Sequence, residues 1–251
     1  MGIMIYSILP EKGDPGKLNT LLEGMKGIFD EKLFTVAFDQ ICAVVSDTIS
    51  AGLTPERLNA INYAGVIEIL AQQFTLLPMR FGSVMESTDA IGKMLERNYE
   101  EIQKNLQKVE NKVEYGLKIL CNSGKLREEL RPKAEGIFQL NKEHNSEVKN
   151  SIYRDYVNKK LIEHRLEELL LSYIDSVIAQ ITSKIDQLNA ERKFKKIITE
   201  TTIIDAVFLL GKEQENSLIG IVDDFKNQYH ALNFVLTGPW PPYSFVEITI
   251  K

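Results

Sequence analysis

The sequence predicts an α+β fold in two domains, and three observations carry that prediction. The first third mixes short β-branched runs with helical segments. A long charged amphipathic segment, Ser87 to Lys112, follows them. The second half reads β–α–β–α–β, the order of a sheet with helices packed on one face. The expected partition is an N-terminal α+β domain over residues 1–86, a connecting amphipathic helix over 87–112, and a C-terminal α+β domain over 113–251.

Each N-terminal element has a local reason. Ile3 to Leu9 is an apolar run closed by Pro10, and Lys12-Gly13-Asp14-Pro15-Gly16 forms a turn cluster behind it. Leu33 to Phe38 and Ile41 to Asp47 are β-branched and aromatic, separated only by Asp39-Gln40, which suggests a hairpin. Thr54-Pro55-Glu56 opens a helix: Thr54 can accept from an orphan N–H, and Pro55 suits the first helical position. Leu58, Ile61, Val66, Ile69 and Leu70 carry that helix to about residue 74. Thr75 to Val84 returns to strand character. Pro78 inside it cannot donate to a ladder, so this strand belongs at an edge or begins near the proline. In the segment 87–112, Ser87 caps the helix, and Ile91, Leu95, Ile102 and Val109 form one stripe.

The second half continues with Val113 to Leu120, which alternates as a strand and ends at Asn122-Ser123-Gly124. From Ile137 to Leu210 there is neither glycine nor proline. Ile162, Leu166, Leu170, Tyr173, Val177, Ile181, Ile185 and Leu188 keep helical spacing through it. Such a length predicts a helix that projects or pairs with another as a hairpin arm. Arg192 to Lys196 places positive charge where a helix dipole ends negative. Ile203 to Leu210 reads as a buried strand stopped by Gly211, and Asn216 to Tyr229 as a helix. Leu232 to Leu236 and Phe245 to Ile250 read as terminal strands flanking Gly238-Pro239-Trp240-Pro241-Pro242-Tyr243.

Composition excludes several classes. The 251 residues are 44% apolar and 26% charged, with a net charge of −5 and a pI near 5.4. That balance fits an ordinary soluble domain and argues against nucleic acid as the main partner. Two cysteines, Cys42 and Cys121, rule out a disulfide scaffold. The start lacks the charged and apolar regions of a signal peptide, and no apolar run approaches membrane-spanning length. The chain is therefore expected in the cytosol, away from membranes.

Catalytic patterns are equally scarce. The chain lacks a Gly-x-Gly-x-x-Gly or Walker A loop, and no Gly-x-Ser-x-Gly elbow offers a nucleophile. His164 and Glu168 stand four apart, but no third ligand has a natural spacing, so neither a metal nor a cofactor is expected. Cys42 and Cys121 read as buried, inert thiols, since neither has a cationic neighbour. Two segments remain. Leu77-Pro78-Met79-Arg80-Phe81-Gly82 puts an arginine inside an apolar strand, where it needs a buried ion-pair partner or serves recognition at a sheet edge. Gly238-Pro239-Trp240-Pro241-Pro242-Tyr243-Ser244-Phe245 holds the only tryptophan on a proline-stiffened backbone. That tryptophan is either a cap on the core or a contact hot spot.

At these residues the sequence resembles the gas vesicle protein F/L family (GvpF/GvpL). Gly238 to Phe245 is similar to the family's most specific motif, and Leu77 to Gly82 to its second. Val113-Glu114-Tyr115-Gly116-Leu117-Lys118 resembles a third, with Tyr115 where a tryptophan is common. The compact length leans toward the F branch. The resemblance implies two α+β domains, the C-terminal one a modified ferredoxin-like fold with a long helical insertion. It implies a non-enzymatic accessory protein, a minor vesicle component that binds the hydrophobic shell protein GvpA and prevents its aggregation during nucleation. It also implies a place on the shell, on its gas-facing side, after a cytoplasmic assembly stage. The contact residues expected on this basis are Met79, Arg80, Phe81, Trp240 and Tyr243. Two readings compete: a scaffold that bridges other gas vesicle accessory proteins through the long helix, and a small-molecule enzyme.

Overall fold

The computed structural model describes residues 2–11, 15–48, 57–142, 151–195 and 202–246. The first apolar run is strand β1 (Gly2–Pro10), buried from Gly2 to Leu9. A run without polar alternation needs cover on both faces. It gets that cover inside a sheet of order β2-β3-β1-β4, with β5 also paired to β1. The other strands are β2 (Leu33–Phe38), β3 (Ile41–Thr48), β4 (Leu77–Pro78) and β5 (Val84–Met85). All pairings are antiparallel. The expected hairpin closes Phe38 onto Ile41, with Asp39 at φ 51° in the turn. β4 lies at the sheet edge with Pro78 opposite Ser7, as a residue without an N–H requires. The strand expected through Val84 is two short pieces joined by a turn that Gly82 enters at φ 87°.

Helices cover both faces of this sheet. Helix α1 (Pro15–Glu23) and helix α2 (Arg57–Gln73) lie on the first face. There Tyr63, Val66, Ile67 and Leu70 pack with Met4, Tyr6, Cys42 and Val44. The opposite face receives helices α3 (Thr88–Arg97) and α4 (Tyr99–Val109), which bury Ile91, Leu95, Ile102 and Leu106. Ser87 caps α3 by accepting from the Ala90 N–H at 3.1 Å. The single helix expected over 87–112 is two, because Asn98 turns its amide back onto the Met94 carbonyl at 2.7 Å. Asparagine competes for backbone groups in this way and interrupts a helix. The expected helix start at 54–56 and the turn residues 12–14 lie outside the described residues.

The second sheet has the order β7-β8-β6-β9, built from β6 (Lys112–Cys121), β7 (Glu191–Lys195), β8 (Thr202–Gly211) and β9 (Leu232–Trp240). Helices α5 (Ser123–Lys142) and α6 (Ser151–Asp186) stand between β6 and β7, and α7 (Glu215–Gln228) between β8 and β9. The order β-α-β-β-α-β with the first and third strands central is ferredoxin-like, with a helix pair replacing its first helix. α6 pairs with α5, as its length requires. Leu126, Leu130 and Ala134 on α5 and Leu166 on α6 are buried, and Arg131 bonds Glu163 at 3.1 Å. α5 was not legible in advance, because Gly124, Pro132 and Gly136 all weaken a helical reading.

Two further expectations, both about strands, are corrected. The basic run from Arg192 is strand β7 rather than a helix end: α6 stops at Asp186, whose carboxylate pairs with Arg192. Phe245 and Val246 are not strand; of the expected terminal strand, 247–250 lie outside the described residues.

By internal contacts the chain forms two compact units. One comprises Met1–Tyr115, Leu209–Lys212 and Gly238–Lys251; the other, Gly116–Phe208 and Glu213–Thr237. This differs from the partition expected at 1–86, 87–112 and 113–251. A helix pair that buries Ile91, Leu95 and Ile102 completely is part of a core, not a connector.

Candidate functional site

Arg80 sits in the turn after β4, not in a strand. Its side chain is exposed, so it keeps its hydration and needs no buried partner; the expected buried ion pair is absent among the described residues. Its backbone is tied down instead. The Met79 N–H donates to the Tyr6 carbonyl at 2.9 Å, and the Ser83 N–H to the Arg80 carbonyl at 3.0 Å. Beneath them lies the Tyr63 hydroxyl, 2.8 Å from the Ile5 carbonyl, 2.9 Å from that of Met79 and 3.1 Å from that of Arg80. That one phenolic proton is shared among carbonyls of β1 and of the turn, the Tyr6 carbonyl at 3.5 Å being a fourth, so Tyr63 anchors the turn to β1. Burial raises its pKa well above the ordinary phenol range. Phe81 packs edge-on against the Tyr63 ring at 5.4 Å, and Tyr6 stacks on it at 5.0 Å. Met79 is 6% exposed and belongs to the core; Arg80 is the part of this motif that faces solvent.

The second motif is held by a buried carboxylate. Glu114, only 5% exposed, accepts from the Ser244 N–H and from the Ser244 hydroxyl, both at 2.7 Å. Hydrogen bonds to a carboxylate are roughly twice as strong as neutral ones. Gly238, at φ 125°, passes so close to this strand that a Cβ would stand 2.8 Å from the Glu114 carbonyl. No other residue fits there. Lys108 donates to the Phe245 carbonyl at 3.3 Å, and Phe245 is buried.

On this frame Pro241 and Pro242 are buried while Trp240 and Tyr243 stay 40% and 41% exposed. Trp240 lines a small pocket of about 30 Å³ with Ala71, Phe74 and Leu76, and Lys112 and Lys212 also line it. Tyr243 has its pKa pushed up to about 12, first by burial and then by the negative charges of Glu68 and Glu114, and its own charge in turn raises Tyr63. Tyr63 on α2 is thus bonded to the first motif and within electrostatic reach of Tyr243 in the second, more than a hundred and fifty residues further along the chain. Sequence reasoning missed Tyr63, Glu114 and Ser244. Tyr63 shared an apolar helical stripe with Val66, Ile67 and Leu70, but its hydroxyl partners lie on distant strands.

Other groups offer less chemistry. Burial pushes the Cys42 thiol up to about 11 and raises Cys121, as inert core cysteines require. His164 and Glu168 approach to 3.7 Å on an exposed helix face, and no cluster of three metal-ligating residues occurs among the described residues.

The chain matches the family model described as gas vesicle synthesis protein GvpL/GvpF over residues 2–247. It is 25% identical to Gas vesicle protein F1 of Halobacterium salinarum, covering 91% of this chain and 87% of that protein. It is likewise 25% identical to Gas vesicle protein L1 of the same organism, over 87% and 82%. In structure it resembles the crystal structure of GvpF from Anabaena sp. PCC7120, with a TM-score of 0.78 over 99% of both chains at 21% identity. The GvpF crystal structure from Microcystis aeruginosa gives 0.72 over 98% and 99%.

Proposed function

The chain belongs to the gas vesicle synthesis protein GvpL/GvpF family, and from that premise we propose that it binds the shell protein GvpA and prevents its aggregation during nucleation. An unassembled shell subunit exposes apolar surface that pairs only in the finished wall, and such surface aggregates. A partner that covers it must offer rigid apolar contacts and remain dissolved. The observation that carries the reading is the presentation of Trp240 and Tyr243. Both are about 40% exposed, on a backbone fixed by two buried prolines and by the Glu114–Ser244 bonds. Rigid aromatics lose little entropy on binding. Arg80 adds an exposed charge, while Met79 and Phe81 support the turn that carries it. In this reading the protein meets the shell subunit in the cytoplasm and stays on the gas-facing side of the shell. The role is binding rather than catalysis: the most strongly shifted groups, the Cys42 thiol and the Tyr63 phenol, are raised first by burial in the core.

The test is a pull-down with purified GvpA, paired with a turbidity assay of GvpA aggregation. Wild-type protein is expected to bind and to delay aggregation. Trp240→Ala and Arg80→Ala should keep the far-ultraviolet circular dichroism of the wild type and lose binding, with Trp240→Ala the more damaging. A wild-type protein that neither binds GvpA nor slows its aggregation ends this reading.

A second reading has its own observation: Leu161 and Leu171 on α6 are 52% and 57% exposed. Exposed leucines on a long helix suit a scaffold that bridges other accessory proteins. Replacing both by aspartate should abolish such bridging and leave GvpA binding intact.

A further inference from the structure

We propose that the outer edge of β2 accepts an extended, uncharged segment by strand addition, followed at its C-terminal end by an acidic residue, and that the shell subunit donates it. The donor rests on the shell-binding reading above; the edge itself is argued from backbone geometry. β2 ends the first sheet, and Leu33-Phe34-Thr35-Val36-Ala37-Phe38 carries neither charge nor proline. Natural edges are usually blunted by one or the other, and an edge left plain is a template for pairing.

The register says which groups are open. Ile5 lies opposite Val45 and sends its N–H outward to the Ser83 carbonyl, so Val45 bonds the other way, to Phe34. Antiparallel bonds alternate along a strand. Phe34, Val36 and Phe38 therefore bond β3, and Leu33, Thr35 and Ala37 turn their backbone groups to the free side. The bridge between Lys26 and Lys32 closes that side next to Leu33. Thr35 and Ala37 remain, offering two N–H and two C=O groups. The opposite edge of the sheet offers no such row: β4 is two residues long, half of them proline, and the turn beyond it is tied to β1. Helices occupy both faces, so edge pairing is the way left to extend this sheet.

Charge sets the direction. Lys26 and Lys32 are exposed neighbours across their bridge, with no ion pair among the described residues. An antiparallel newcomer brings its C-terminal end beside them, where a carboxylate would meet two cations.

Thr35→Pro tests the edge without breaking the sheet, because the lost N–H points away from β3. Full-length protein is titrated with purified GvpA and, separately, with a synthetic peptide of alternating valine and threonine closed by glutamate. Amide exchange at Thr35 and Ala37 is followed in both. Thr35→Pro, melting like wild type, should bind GvpA roughly tenfold more weakly, and both wild-type amides should slow in the complex. Ala37→Pro replaces it if Thr35→Pro fails to fold. Reversing Lys26 and Lys32 to glutamate should weaken binding and flatten its salt dependence. A folded proline variant that binds GvpA like wild type overturns the edge and leaves the shell-binding reading standing. If GvpA does not bind but the peptide slows both amides, the edge stands and the shell-binding reading falls. Amides unaffected by either partner overturn the edge. A wild-type dimer that Thr35→Pro converts to monomer makes a second copy the occupant and overturns the proposal.

Discussion

Glu114 is buried and bonded twice to one half-buried serine, and its removal takes the carboxylate acceptor from both Ser244 donors. Glu114→Ala is expected to lower the unfolding free energy by about 2–3 kcal/mol and Ser244→Ala by about 1 kcal/mol, read from urea midpoints at constant slope. A larger loss in the serine variant would mean that the carboxylate is held mainly by other groups. Two phenols and the Cys42 thiol make a separate statement about pH. Cys42 and Tyr243 have pKa values raised from 9.0 and 10.0 to about 11 and about 12, and Tyr63 is raised further, in each case first by burial. The folded chain therefore favours their neutral forms. Their stabilisation is full below about pH 9 and is lost as pH rises through 11 and 12. Melting temperature should hold level to pH 9 and fall beyond it; a fall that begins near pH 7 would contradict this assignment. At this scale the sequence revealed which residues were unusual, Arg80 and Trp240, but not their partners. Arg80 looked buried because its neighbours are apolar; a two-residue strand and a glycine turn put it in water.

Elements were the most legible level. β1, the β2–β3 hairpin, α7 and β8 appear within a residue or two of their periodic patterns, because period and turn residues are local properties. The failures were also physical. Asn98 breaks a continuous stripe with one side-chain bond, and α5 forms despite Pro132 because α6 gives its apolar face something to cover. The α5–α6 pair separates two kinds of stabilisation. Leu166 on α6 is fully buried, while Arg131–Glu163 is an exposed ion pair. Leu166→Ala should cost about 2–5 kcal/mol, whereas Arg131→Ala should cost at most about 1 kcal/mol. Thermal melts of the two variants in low and high salt decide it, since only the arginine contribution should depend on salt.

The whole molecule adds charge and topology. In the proposed role, a net charge of −5 with a pI near 5.4 would keep an apolar-surfaced partner dispersed only while the complex stays charged. The delay of GvpA aggregation should therefore be strong at pH 7.5 and weak near pH 5.4, by turbidity under matched salt. Equal protection at both would assign the effect to contact alone. Taken by itself, the sequence determined the α+β class, the hairpin, the long helix and, through its motifs, the family; it left the Pro78 strand at an edge or beginning at the proline, and the long helix projecting or paired. Those properties follow from local periodicity, from proline and glycine chemistry, and from residue order. Only the tertiary structure decided that Tyr63 anchors the 77–82 turn to β1, that Glu114 and Ser244 hold the tryptophan segment, and which edge of the first sheet is open. Such facts depend on contacts between residues far apart in the chain, and no local pattern encodes which distant backbone a side chain will find.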